Sequence, residues 1–144
     1  MMKKILLLFC LIFGLSFVPT AQAAMISEKQ EIEMGERAGK ALEAQYGLYQ
    51  DDEVASRIDR IGQALAAHST RQIPYTFKVL NTQDVNALAC PGGFIYVYKG
   101  LVDTMTSDDE LAAVLGHEIG HIEKRHTVHQ IEKQMALSLL TILA

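Results

Sequence analysis

Hydrophobic and polar positions fall into blocks of different period along this chain, and each block predicts its own element. Ile5 to Val18 is an almost unbroken apolar run with no polar face. Beyond it, Ser27-Glu28-Lys29-Gln30 has the form of a capping box, in which a serine hydroxyl and the side chain three residues on serve the free N–H groups of a first helical turn. A helix is predicted from there to about Tyr46, stopped by Gly47. Asp51 or Asp52 caps a second helix, which carries Val54, Ile58, Ile61 and Leu65 on one face and runs to about His68. Gly62 inside it marks close packing by a neighbour. Pro74 then introduces an extended stretch, where Tyr75, Phe77 and Val79 alternate with Thr76 and Lys78. Asn81-Thr82-Gln83-Asp84 is a polar turn, and Val85–Cys90 and Phe94–Tyr98 read as two more strands around Pro91-Gly92-Gly93. Ser107-Asp108-Asp109-Glu110 is a second capping box, behind which Leu111, Val114, Leu115, Ile119 and Ile122 recur at helical spacing. Two helices, a small antiparallel sheet and a last helix make an α+β domain.

The ends change the picture of where the domain works. Lys3 and Lys4, the apolar run, Pro19 and the small-residue site Ala21-Gln22-Ala23 together form a secretory signal. The run is short of the roughly 20 apolar residues that a spanning helix needs. Cys10 lacks the small residues that precede a lipid-modified cysteine. The expected division is a signal peptide over 1–23 and, over 24–144, the N-terminal portion of one domain, incomplete at its C-terminus and exported to the periplasm or cell envelope. Removing the signal takes two lysines and moves the formal net charge from −4 to −6, which argues against nucleic acid as a partner. Cys90 is then the one remaining cysteine, so no internal disulfide forms; it is buried and free, or paired between molecules.

The chemistry sits in His117-Glu118-Ile119-Gly120-His121. Two histidines four apart on a helix lie about 40° from each other at about 100° per residue, so both imidazoles reach one ion. Glu118 points to the flank of that face, where it meets a water activated by the metal. This is the H-E-x-x-H pattern of a zinc peptidase, with the glutamate as general base and one Zn2+ per chain. A catalytic zinc takes three protein ligands, and the motif supplies two. His126 falls nine residues after His117, about half a turn away on a continuous helix. His129 is also off the metal face, and both read as exposed or outer residues. Thr127 stands where a third histidine of the metzincin arrangement would fall, and Lys124 replaces its glycine. Glu123 and Glu132 lie on the same helix and cannot fold back onto the metal, while His68 belongs to a surface loop. Spacing alone reveals no third ligand.

The stretch from Asn86 to Tyr98 carries a second expectation. A strand flanked by proline and glycines often lies at a sheet edge, and an edge strand beside a metal site can pair with an extended substrate. Asn86, Ala87, Gly92, Gly93, Phe94 and Tyr96 are the candidate substrate-binding residues, an ordinary hairpin without a ligand being the alternative. The run Val85-Asn86-Ala87 through Pro91-Gly92-Gly93, then Lys99-Gly100-Leu101, Asp109-Glu110-Leu111 and Leu115-Gly116-His117-Glu118-Ile119-Gly120-His121 ending in Arg125-His126, resembles the HtpX-type gluzincin metallopeptidases. The likeness covers about residues 28–135 in the family's order. It implies a zincin-like (minigluzincin) fold and one zinc ion held by His117 and His121, with Glu118 as catalytic base. It also implies endopeptidase activity on unfolded or misassembled envelope proteins. The third ligand implied is a glutamate in an E-x-x-A-D pattern on a later helix, and the 144 residues stop before any such segment. A Cys90 thiolate is a further soft-ligand candidate, set against a buried free thiol.

Two functions are therefore in view. One is a zinc endopeptidase whose third ligand comes from elsewhere, a neighbouring subunit included. The other is a non-catalytic, peptidase-like protein that holds extended polypeptide by edge-strand pairing. Peripheral membrane association and oligomeric state stay open.

Overall fold

The computed structural model describes residues 26–143, so the expected signal peptide over 1–23 lies outside the described residues. Helix α1 (Glu28–Tyr46) is followed by α2 (Asp52–Ala66), β1 (Thr76–Leu80) and β2 (Ala87–Cys90). A single 3-10 turn over Pro91–Gly93 leads into β3 (Phe94–Tyr98), and then come α3 (Lys99–Thr104), α4 (Asp108–Glu123) and α5 (His126–Leu143). The caps are those the sequence prescribes. Ser27 and Gln30 form the reciprocal capping box of α1, Gly47 ends it, and the Asp51 carboxylate accepts from the N–H groups of Glu53 and Val54.

The sheet corrects one expectation. It is mixed, in the order β1-β3-β2, with β2 antiparallel to β3 and β1 parallel to it. A parallel pair needs a return connection of about a dozen residues. Here residues 81–93 provide it, and β2 is part of that return, laid down on the far side before the chain turns back into the centre. The short spacing that looked like a meander is therefore a crossover.

Strand β3 explains the layering. Its sequence Phe-Ile-Tyr-Val-Tyr is apolar at every position because both of its faces are covered. Ile95 and Val97 point with Phe77 and Val79 into a core closed by Ile58 and Ile61 of α2 and by Leu111, Leu115, Ile119 and Ile122 of α4. Tyr96 and Tyr98 point the other way, with Leu80 and Cys90, against Ala38, Leu42 and Tyr46 of α1. Helix α1 can lie this close because of two glycines. A Cβ on Gly39 would come within 2.3 Å of the Tyr96 hydroxyl, and one on Gly35 within 1.7 Å of the Pro91 carbonyl oxygen. The result is one helix, a three-stranded sheet and two helices in three layers, an α+β domain. Met135, Leu137 and Ile142 of α5 are exposed, and no described helix is long and apolar enough to cross a membrane.

Candidate active site

Helix α4 is anchored at its start and divided in function along its sides. The Ser107 hydroxyl accepts from Glu110 N–H at 3.3 Å, and the Glu110 carboxylate accepts from Thr106 N–H at 2.6 Å. The glutamate thus reaches one residue further back than a standard capping box. These bonds hold its carboxyl below the usual range. Asp108 is bound by Arg57 and Arg60 of α2, which fixes the N-terminal turn laterally. One face, Leu111, Leu115, Ile119 and Ile122, is core. What remains is a strip carrying His117, Glu118 and His121, and it faces β2.

The two imidazoles converge as their spacing requires. His117 Nε2 and His121 Nε2 lie 3.0 Å apart, with the rings edge to face. Tetrahedral zinc with Zn–N of about 2.0–2.1 Å sets two ligand nitrogens about 3.3 Å apart, so an opening of a few tenths of an ångström fits the ion. Glu118 is only 9% exposed, yet it lines two open grooves. One groove is bounded by Ala87, Leu88, Ala89, His121 and His126; the other by Val85, Asn86, Ala87, Leu101 and His117. The two grooves meet at Ala87 and Glu118, at the start of edge strand β2. Among the described residues no group of three or more His, Cys, Asp or Glu side chains is arranged to hold a metal. The pair is therefore suited to a metal but incomplete as a catalytic set.

His126 is where the sequence geometry needs correction. The helix is not continuous: Arg125 adopts φ +50, and α5 starts afresh at His126. The half-turn offset computed for an unbroken helix does not apply. His126 Nδ1 instead approaches His121 Nδ1 at 2.7 Å, on the ring edge opposite the metal face. Desolvation first, then the neighbouring His121, Lys124 and His129, push the His126 pKa down. His68 and His129 are exposed. Glu123 accepts from Thr70 N–H and Glu132 from Ile26 N–H, both turned away from the pair.

The break rests on a buried carboxylate. Glu31 of α1 is 1% exposed and accepts from Arg71 Nη1 at 2.7 Å, Arg71 Nη2 at 3.1 Å, Arg125 Nε at 2.8 Å and Gly92 N–H at 3.2 Å. Burial raises its pKa, but the two guanidinium groups outweigh that and hold it below the ordinary range. Sequence reasoning missed this residue. The signal was present, since Glu31 shares the helical stripe of Gly35, Gly39, Leu42 and Tyr46 that faces the sheet.

The candidate substrate-binding residues divide in two. Asn86 and Ala87 border the groove beside His117 and Glu118. Gly92, Gly93, Phe94 and Tyr96 do not. Gly92 packs on the backbone of Ile32 and Gly93 on Pro74 O, while Phe94 lies in the α1-side core. Tyr96 is 1% exposed and donates its hydroxyl to Glu43 at 2.7 Å. Phe94 and Tyr96 lie on β3, the central strand paired on both edges, and Gly92 and Gly93 in the turn before it pack against other backbone. Cys90 is buried in the same core, which raises its thiol pKa to about 11.

Two converging imidazoles that would hold a metal, with a carboxylate beside them at a strand edge, are the protein groups that metallopeptidase chemistry uses. Comparison with known proteins gives the same class. The model of peptidase family M48 matches residues 48–144, and the chain belongs to that family. It is 31% identical over 125 residues to the beta-barrel assembly-enhancing protease of Yersinia pestis, covering 86% of this chain and 26% of that protein. Against the metalloprotease LoiP of Escherichia coli (strain K12) it is 36% identical over 121 residues, covering 83% of this chain and 46% of the relative. The mitochondrial metalloendopeptidase OMA1 of Arabidopsis thaliana is 39% identical over 70 residues, or 49% of this chain and 14% of the relative. The chain thus spans about a quarter to a half of the bacterial relatives it matches.

Proposed function

We propose that this protein is a zinc-dependent endopeptidase that takes extended polypeptide along the free edge of β2. The observation that carries the reading is the 3.0 Å approach of His117 and His121 Nε2 with Glu118 between two grooves at that edge. His117 and His121 hold the zinc. A third ligand outside the described residues completes the set, a glutamate by the family resemblance. When bound, zinc supplies Lewis acidity, bringing the pKa of a water down to about 7. Glu118 receives the proton of the attacking water on its carboxylate and passes it to the nitrogen of the leaving amine. The backbone groups of β2 that point away from β3 align the substrate as an added strand, with Asn86, whose side-chain oxygen accepts from Ala87 N–H at 2.9 Å, beside it. Pairing through the backbone selects for extended chain and against folded domains. That requirement, the signal-like pattern of residues 1–23 and the relatives named for β-barrel assembly together support unfolded or misassembled envelope proteins as substrates, met in the periplasm.

The absence of a three-ligand group among the described residues favours one other reading, a binding protein that holds such segments without cutting them. Glu118→Gln separates the two. For a peptidase it lowers casein hydrolysis by about 10²- to 10⁴-fold, the span of general-base catalysis, while zinc content stays at one per chain. Undiminished turnover in Glu118→Gln, or a zinc-free and inactive full-length protein, overturns the proposal.

A further inference from the structure

We infer that His126 is a positioning residue for the metal site: its Nδ1 accepts the Nδ1 proton of His121 and so commits the opposite edge of that ring to the metal. The inference rests on the peptidase reading and adds to it a residue outside the H-E-x-x-H motif. The geometry is a relay of three rings. His117 and His121 meet through their Nε2 atoms at 3.0 Å, and His121 and His126 through their Nδ1 atoms at 2.7 Å.

A neutral imidazole carries one proton and one lone pair, so the two edges of His121 cannot both serve as acceptors. If its proton were on Nε2, that nitrogen could not bind a cation. With the proton on Nδ1, Nε2 is free for the ion, and the proton needs an acceptor on the far side. His126 Nδ1 is the atom at hydrogen-bond distance, and it accepts when His126 holds its own proton on Nε2. A ligand histidine held this way is fixed in tautomer and ring angle and made more basic, a task that carboxylates and backbone carbonyls commonly perform.

The fold makes a specific provision for this contact. On an unbroken helix, residues five apart lie about 140° from each other and do not meet. His126 reaches His121 because Arg125 takes a left-handed conformation, rare for a side chain other than glycine. Arg125 is held there by Nε donating to the buried Glu31 at 2.8 Å and Nη2 donating to Ile26 O at 2.7 Å. The same Glu31 oxygen pair grips Arg71, which donates in turn to Ile122 O near the end of α4. The kink is thus tied to α1 and to the last turn of the zinc helix.

The test compares His126→Leu and His126→Asn in the full-length protein. The two side chains are nearly the same size, but the asparagine oxygen stands where Nδ1 stood and leucine offers no acceptor. Zinc affinity is measured by competition with a chromophoric chelator, and His121 protonation by long-range proton–nitrogen spectra of the zinc-loaded protein. His126→Leu is expected to bind zinc about 10- to 100-fold more weakly, the usual effect of losing such a partner, and His126→Asn to restore most of that loss. Equal affinity in His126→Leu and the wild type overturns the inference and leaves the peptidase reading intact. Equal weakness in both variants also overturns it, since shape rather than acceptance would then matter. Should His126→Leu fail to fold, the wild-type spectra still decide. A proton on His121 Nδ1 supports the inference, and metal on that nitrogen sinks it. A wild-type protein that takes up no zinc defeats the peptidase reading itself.

Discussion

Replacing Glu31 by glutamine is the most informative perturbation of the scaffold, because it removes one charge and almost no volume. The carboxylate is 1% exposed and serves four donors. If the glutamine oxygen takes the place of Oε1, the contacts from Arg71 Nη1 at 2.7 Å and Gly92 N–H at 3.2 Å survive. Its amide nitrogen then replaces Oε2 and faces Arg71 Nη2 at 3.1 Å and Arg125 Nε at 2.8 Å, donor against donor. Two charge-assisted bonds are lost, at about 1.5–3 kcal/mol each. Breaking a buried pair from one side costs about 3–5 kcal/mol. The arginines keep some contact with water, at 12% and 21% side-chain exposure, so the lower end, about 3 kcal/mol, is expected.

The chain has no tryptophan, so urea unfolding is best followed by far-ultraviolet circular dichroism. At about 1–3 kcal/mol per molar urea, the midpoint should fall by about 1–3 M. The pH dependence gives a second check. The folded pKa of Glu31 is depressed, so its contribution is complete above the unfolded value of about 4.3 and is lost as pH falls through the folded value. The gap between wild type and Glu31→Gln should therefore narrow below about pH 4. A loss under about 1 kcal/mol, or a gap that ignores acid, would refute the view that this carboxylate holds α1, the Pro91–Gly93 turn and the α4–α5 junction together.

Other consequences are more local. Gly39→Ala places a methyl group 2.3 Å from the Tyr96 hydroxyl and should destabilise the domain by about 1–3 kcal/mol in the same unfolding assay. Gly116→Ala meets nothing within 4 Å in the middle of α4 and should instead stabilise it, by about 0.5–1 kcal/mol; a loss there would mean that the helix face is not open as described. The Cys90 thiol, with its pKa pushed up to about 11 by burial, should resist a thiol reagent such as dithionitrobenzoate at mildly alkaline pH in the folded protein and react fully once unfolded. Rapid labelling of the native state would place it at the surface.

What the sequence made legible depended on how locally each feature is determined. Ser27 with Gln30, Asp51, and the Val54-Ile58-Ile61-Leu65 face are decided within a few residues, and α1 and α2 follow them closely. The convergence of His117 and His121 was legible for the same reason, as the two share one helix. Strand pairing is not local. The segments around Pro91-Gly92-Gly93 were readable as strands, but nothing in Phe94–Tyr98 alone says that β1 would pair with it in parallel, so Tyr96 looked available when it is core. The half-turn offset of His126 failed for a related reason, although its reading as an exposed or outer residue holds. Its position depends on one left-handed arginine, and that conformation is held from 94 residues away in sequence by Glu31. A charge on the sheet-facing stripe of α1 is a local anomaly, however, since burying it without partners would be prohibitive. Such a residue demands cations, and Arg71 and Arg125 are the answer in the fold. The same demand explains why the helix breaks where it does: an unbroken α4–α5 helix would leave Arg125 with no reason to leave helical φ, and Glu31 short of one of its cations.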